Sequence, residues 1–149
     1  MDIEQFMRGY KAAWEARDDS QFCALFTKDG VYRNTPFAEQ RGHEQLAKYW
    51  ERVKLQTDIN VTYDILTSSS SGGLAHWHVT YQVTSEELFQ IWAASTGTNV
   101  VARNPESPLP RMALDGILQV WFDGDLCSEC RIWWHSTTLV QAQAKNADA

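Results

Sequence analysis
No apolar run in this chain approaches the roughly 18 residues that a helix needs to span a bilayer, and no stripe of lysine and arginine marks any segment. Thirteen basic residues against nineteen acidic ones leave a formal charge of −6. A surface of that sign repels the phosphates of nucleic acids and of anionic membranes, so neither is expected as a partner. The three cysteines are an odd number, which suits free thiols in a reducing cytoplasm. The first residues lead straight into an amphipathic helix carrying Asp2, Glu4 and Arg8, so no secretory leader is expected.

What is present in excess is tryptophan, with seven in 149 residues. Indoles are costly to expose and must line a core, a pocket or an interface. The length is enough for one domain with a real core, expected over residues 1–138, and no internal repeat or second domain is visible. Residues 139–149 lose all periodicity and are expected to be a disordered tail.

Ile3, Phe6, Met7, Tyr10, Ala13 and Trp14 follow one helical face, which predicts a helix over residues 2–17. Asp18-Asp19-Ser20 offers N-cap chemistry for a short helix ending near Phe26. A turn at Lys28-Asp29-Gly30 precedes a strand over 31–37, which Pro36 puts at an edge or a strand end. A third helix follows Gly42, with Leu46, Tyr49, Trp50 and Val53 on one side, and a strand follows over 59–66. In 76–83, Trp77, Val79, Tyr81 and Val83 alternate with His76, His78, Thr80 and Gln82, giving a strand with one aromatic and one polar face. Two further strands are expected near 113–122 and 127–137, joined at Asp123-Gly124-Asp125. Helices first and then a mostly antiparallel sheet is the α+β pattern.

Residues 84–111 exceed what a hairpin needs. Leu88, Ile91 and Trp92 have helical spacing, and a loop with Pro105, Pro108 and Pro110 follows. Such an insertion is either a lid over a binding site or a surface or dimer arm.

The order of these pieces, from Ala-Leu-Phe at 24–26 through Lys28-Asp29-Gly30, Val-Tyr-Arg-Asn-Thr-Pro-Phe, Arg41-Gly42 and the helix ending Tyr49-Trp50, together with Arg131-Ile132-Trp133-Trp134-His135, resembles the nuclear transport factor 2-like superfamily, especially its ketosteroid-isomerase and polyketide-cyclase-like branches. The resemblance covers residues 5–83 and 112–137. It implies a cone-shaped fold in which N-terminal helices pack on a curved, mostly antiparallel sheet around a central pocket. It also implies which residues face that pocket. Asn34 matches the aspartate that shuttles the proton in the isomerases, and Tyr32 shares its strand face. Tyr10 matches their oxyanion tyrosine, with Trp14 one turn on. Trp50 matches a supporting tyrosine, Trp77, Val79 and Tyr81 match pocket walls, and Leu118 matches the second oxyanion acid. Trp134 is taken as a further wall.

An amide such as Asn34 takes no proton at neutral pH, and leucine neither accepts nor donates one, so ketosteroid isomerisation by the isomerases' route is not expected. The Arg-x-Asp arrangement of limonene epoxide hydrolases is missing. His76 and His78 are on the wrong strand face for the two histidines of scytalone dehydratases. Asp115 is the one late candidate for the carboxylate of the polyketide cyclases. A bulge at Asp115-Gly116 would turn it inward, whereas simple parity with Leu118 turns it outward to a structural partner such as Arg131.

Other patterns have plainer readings. His76-x-His78 lacks a third metal ligand at a recognisable spacing, so paired surface histidines are favoured and no metal is expected. The two cysteines of Cys127-Ser128-Glu129-Cys130 fall on opposite faces of a strand, which disfavours redox or zinc chemistry. Gly97-Thr98-Asn99 reads as an ordinary turn. The aromatic set has a bland alternative as plain core.

Trp121 and Trp133 take the parity opposite to Val120 and Trp134, so they are expected on the outer sheet face, where members of the superfamily commonly dimerise. The expectation is therefore a cytoplasmic homodimer that needs no cofactor and binds a small, flat, largely apolar or aromatic molecule. Tyr10, Asn34 and Asp115 are the candidate catalytic groups. Trp14, Tyr32, Trp50, Trp77, Tyr81, Leu118 and Trp134 are the candidate contacts. Cofactor-free isomerisation, dehydration or hydration is one outcome, and a non-catalytic binding or assembly module is the other.

Overall fold
The computed structural model describes residues 1–96, 106 and 108–139. Helix α1 (Ile3–Glu15) starts where the side chain of Asp2 accepts from the Gln5 amide, and Gln5 returns the bond to the Asp2 backbone, a reciprocal cap. The Asp18 side chain caps the short α2 (Asp19–Cys23) by accepting from the Gln21 amide. Strand β1 (Phe26–Arg33), the two-residue β2 (Gln40–Arg41) and α3 (Gly42–Trp50) follow. A 3-10 turn (Glu51–Leu55) then feeds β3 (Gln56–Ser69), β4 (Gly72–Val83), α4 (Glu86–Thr96), β5 (Arg111–Asp123) and β6 (Leu126–Thr138).

The strands form one curved sheet in the order β2-β1-β6-β5-β4-β3. Only β1 runs parallel to its neighbour β6, and the other pairings are antiparallel. Helix α1 lies across β3 and β4, α3 packs on β1, and α4 reaches from β4 to the 3-10 turn. This is the helix-roofed cone that the resemblance implied. Ile3, Phe6, Met7 and Tyr10 of α1 are fully buried against Leu46, Val61, Leu118 and their neighbours on the concave face.

Element types agree with the sequence reading, and the differences lie in boundaries and bulges. The Lys28-Asp29-Gly30 segment sits inside β1, where the pairing with β6 jumps from Phe26–Cys127 to Val31–Glu129. Gly30 is required there: an added Cβ would lie 2.8 Å from that of Phe26. The strand stops at Arg33 rather than 37, because the chain turns before Pro36. Trp121 pairs with Glu129 while Phe122 pairs with Cys127, so Ser128 is an extra residue on β6. This bulge corrects the expectation for the two cysteines: Cys127 and Cys130 are both fully buried in the core. All three cysteines of the chain are unpaired thiols. The Gly97-Thr98-Asn99 turn and the tail from 140 onward lie outside the described residues.

Candidate functional site
Alternation along β1 sends Arg33 outward, where it pairs with Glu39 at 2.7 Å and Glu129 at 3.1 Å, and sends Tyr32 inward. One turn of α1 sets Tyr10 and Trp14 on the face opposite. The phenol oxygens of Tyr10 and Tyr32 meet at 2.6 Å. Around this pair the aromatic rings build a box. Trp50 stacks flat on Phe22 at 3.9 Å, and Trp14 stands 5.8 Å from Trp50 and 5.9 Å from Trp77. The Trp14 indole donates to Gln56 Oε1 at 2.7 Å, and the Trp134 indole donates to the Asn34 carbonyl at 2.6 Å. Helix α4 closes one wall with Leu88, Ile91, Trp92 and Ser95, held by the Trp92 indole donating to Ser136 Oγ at 2.5 Å.

The rings leave an inner chamber of about 60 Å³. Four of its lining residues, Asn34, Arg52, Ile91 and Ser95, also line an outer vestibule of about 650 Å³. The turn after β1 supplies Thr35, Phe37 and Ala38 to that vestibule, and α4 supplies Ala94. Phe37 is 98% exposed on its rim. The two spaces together form a narrow, aromatic head-chamber opening into a broad groove.

Burial is the leading cause of every tyrosine shift at the site. It pushes Tyr10 and Tyr32 well above the ordinary phenol range, with the thiol of Cys130 adding to the rise, and it raises Tyr49 and Tyr81 as well. These hydroxyls are therefore protonated at neutral pH and serve as hydrogen-bond donors, never as bases. Among the described residues three buried side-chain polar atoms have no partner: Asn34 Oδ1, Trp50 Nε1 and Trp77 Nε1. A buried donor or acceptor without a partner costs about 1–3 kcal/mol, so a group entering the chamber that satisfies them gains correspondingly. Among the described lining residues of both spaces there is no carboxylate and no imidazole.

Eight of the expected residues converge on the chamber: Tyr10, Trp14, Tyr32, Asn34, Trp50, Trp77, Tyr81 and Trp134. Leu118 does not line it. It is fully buried deeper in the core, between Ala75 and Ile132 in the sheet. Asp115, expected among the catalytic groups, does not reach it either. Pairing is regular through His78–Asp115 and Trp77–Gly116, with no bulge, so parity holds and the carboxylate points to the outer face. There it accepts from His76 Nε2 at 2.9 Å and His78 Nδ1 at 3.0 Å, rather than from Arg131. The His76 bond is the main cause holding the Asp115 carboxyl below its ordinary range. Among the described residues no group of His, Cys, Asp and Glu is arranged to hold a metal ion.

Sequence reasoning missed Tyr49, Arg52, Val53, Gln56, Leu114 and Ile132. Two of these were readable from inward parity, Leu114 with Leu118 and Ile132 with Trp134. Arg52 and Gln56 were not, because a 3-10 turn breaks the helical period before them.

The model of a SnoaL-like domain matches residues 7–104 of the chain. No sequence match is found among curated proteins. Several solved structures share the fold at low identity. The epoxide hydrolase/cyclase-like enzyme SalBIII, with a role in pyran-ring formation in the polyether salinomycin, is 8% identical with a TM-score of 0.65, over 91% of this chain and 94% of its own. A candidate polyketide cyclase from a Silicibacter species is 12% identical with a TM-score of 0.61, over 96% and 93%. A protein of ketosteroid isomerase-like fold from Catenulispora acidiphila, in complex with trimethylamine, is 13% identical with a TM-score of 0.57, over 85% and 82%. Likeness at these identities shows a shared fold and nothing about reaction.

Proposed function
Because the chain belongs to the SnoaL-like domain family of the nuclear transport factor 2-like superfamily, we propose that its pocket takes a small oxygenated molecule, with a flat, largely apolar head in the aromatic chamber and a larger body in the vestibule. The observation that carries this reading is the Tyr10–Tyr32 pair, 2.6 Å apart on the chamber wall. In such a pair one phenol donates to the other and leaves the acceptor's own proton free for a ligand oxygen. Burial keeps both protonated.

The chemistry these residues suit is cofactor-free isomerisation, cyclisation, dehydration or hydration. Negative charge developing on a substrate oxygen is met by the paired phenols, and the Asn34 amide orients a carbonyl or a water. Removing one preorganised donor of this kind costs on the order of 10²–10³ in rate. The second reading is a non-catalytic binding module, favoured by the lining residues' lack of a carboxylate or imidazole to serve as base. A thermal-shift screen of small aromatics and terpenoids tests both. Stabilisation that Tyr10→Phe and Tyr32→Phe weaken, with turnover of the same compound, supports the enzyme. Stabilisation without turnover supports the binding module, and no stabilisation by any compound rejects the pocket.

A homodimer through the outer sheet face belongs to the same proposal. Trp133 is 44% exposed there, and the Arg131 guanidinium lies 5.2 Å over the Trp121 ring beside it. Sedimentation of the parent against Trp133→Glu tests it: a monomeric parent rejects the dimer. A reducing, cytoplasmic setting is supported by the three unpaired thiols. Among the described residues no helix is long and apolar enough to cross a membrane.

A further inference from the structure
The chamber and vestibule meet at one charge. Arg52, on the 3-10 turn after α3, lines both spaces and is the one charged residue among their described lining residues. Its guanidinium is already fixed in place. The plane sits 4.0 Å from the Tyr49 ring centroid, and Nε donates to the Tyr49 carbonyl at 3.2 Å. Among the described arginines, Arg8, Arg33, Arg41, Arg111 and Arg131 each pair with a carboxylate. Arg17 has none, but it is exposed and donates to the Gln56 carbonyl. Arg52 alone among the described arginines is half-buried, stacked and turned to a cavity, with no partner for its terminal nitrogens among the described residues. In a chain of net charge −6, rich in acidic residues that could have neutralised it, an unpaired guanidinium at a pocket neck is a ready anion receptor.

The rest of the neck and chamber points the same way. Among the described residues the unpartnered buried groups are two indole N–H donors, of Trp50 and Trp77, against a single acceptor, Asn34 Oδ1. Adding the guanidinium makes the wall rich in donors and poor in acceptors. A ligand complementary to it carries more acceptors than donors.

We propose that Arg52 is an anion anchor, and that the ligand is an oxo-acid: a carboxylate at the neck against Arg52, and a carbonyl or ether oxygen reaching inward to the Trp50 and Trp77 indoles. This rests on the reading of the pocket as a ligand site. Preorganisation by Tyr49 means that little side-chain entropy is lost when the carboxylate docks.

The test uses 4-oxocyclohexanecarboxylate and phenylacetate as probes, each beside its neutral primary amide, titrated into the full-length protein. Binding is followed through the indole N–H resonances. The expected result is that both acids shift the Trp50 and Trp77 resonances and bind about tenfold or more tighter than their amides, as a charge-assisted bond at a partly buried site allows. Arg52→Gln is expected to bring each acid and its amide to the same affinity, and Arg52→Lys, which keeps the charge but not the fork, to retain part of the preference. If acids and amides bind equally, or the preference survives in Arg52→Gln, the anchor is wrong while the pocket reading stands. If neither acid nor amide moves the indole resonances, the pocket reading fails and the anchor with it.

Discussion
The indole of Trp134 donates to the backbone carbonyl of Asn34 at 2.6 Å, joining residues a hundred positions apart. This bond fixes the turn that follows β1 to the end of β6, and so fixes where the Asn34 side chain enters the chamber. Trp134→Phe keeps an aromatic ring, though a smaller one, and removes the donor, leaving a partly covered carbonyl without its partner. The expected cost is about 1–2 kcal/mol, read as a lower urea midpoint with an unchanged slope. An unchanged midpoint would show that water replaces the indole without loss.

Gly116 sits in the sheet between Trp77 on β4 and Trp134 on β6. An added Cβ would lie 2.3 Å from the Trp133 carbonyl oxygen and 2.9 Å from the Trp134 Cβ, so β5 and β6 must part beside the chamber wall. Gly116→Ala is therefore expected to cost about 2–3 kcal/mol through overpacking. Gly124, in the β5–β6 turn, is a fitting control, since its Cβ would meet nothing within 4 Å and only its φ of +61° is unfavourable. Gly124→Ala should cost about 1 kcal/mol. Equal losses at the two positions would contradict this account.

Gly116 also shows what the sequence could and could not tell. Period-2 alternation through 76–83 was enough to put Trp77 and Tyr81 inside and His76 and His78 outside, because burial enforces parity along a regular strand. The same rule put Asp115 outside, and the glycine beside it, open to reading as a bulge, is instead a regular ladder position where the Trp133 carbonyl and the Trp134 Cβ come too close for a side chain. Where the β5–β6 ladder slips, at Ser128, nothing in Cys-Ser-Glu-Cys announces it, and the two cysteines, expected on opposite faces, both lie in the core. Arg52 was invisible for a different reason. Its role depends on a guanidinium lacking an acidic partner in space, and no local pattern records which charges go unpaired.

All five tyrosines have phenols raised above the ordinary value, burial being the first cause in each case. The unfolded chain ionises near pH 10, whereas the folded chain resists. A group whose folded pKa lies above its unfolded one contributes stability below the unfolded value and loses it as pH climbs past. Stability should thus hold up to about pH 10 and fall above it. Tyrosinate absorbance in an alkaline titration should appear together with the loss of far-ultraviolet ellipticity. Tyrosinate forming in a fully folded protein, with four or five phenols titrating near pH 10, would contradict the closed chamber.

Asn34→Asp is the most direct test of the chamber as a place for chemistry. Asn34 is 7% exposed and lines both chamber and vestibule, and its Oδ1 has no partner. A carboxyl at that position has no cation except Arg52 among the described lining residues, and burial alone would hold its pKa above the ordinary carboxylate range, nearer to what a general base at neutral pH needs. The substitution should therefore destabilise the fold by about 1–3 kcal/mol, as an imperfectly paired buried charge does. In exchange it should confer slow isomerisation of a small β,γ-unsaturated cyclic enone, whose carbonyl can reach the Tyr10–Tyr32 pair; a chamber of about 60 Å³ argues against using a steroid. The double variant Asn34→Asp/Tyr10→Phe should lose most of that gain, by on the order of 10²-fold, since the developing enolate then loses a donor. A folded Asn34→Asp protein with no activity on any such enone would mean that the amide and the phenols do not address one substrate, whatever the distances between them.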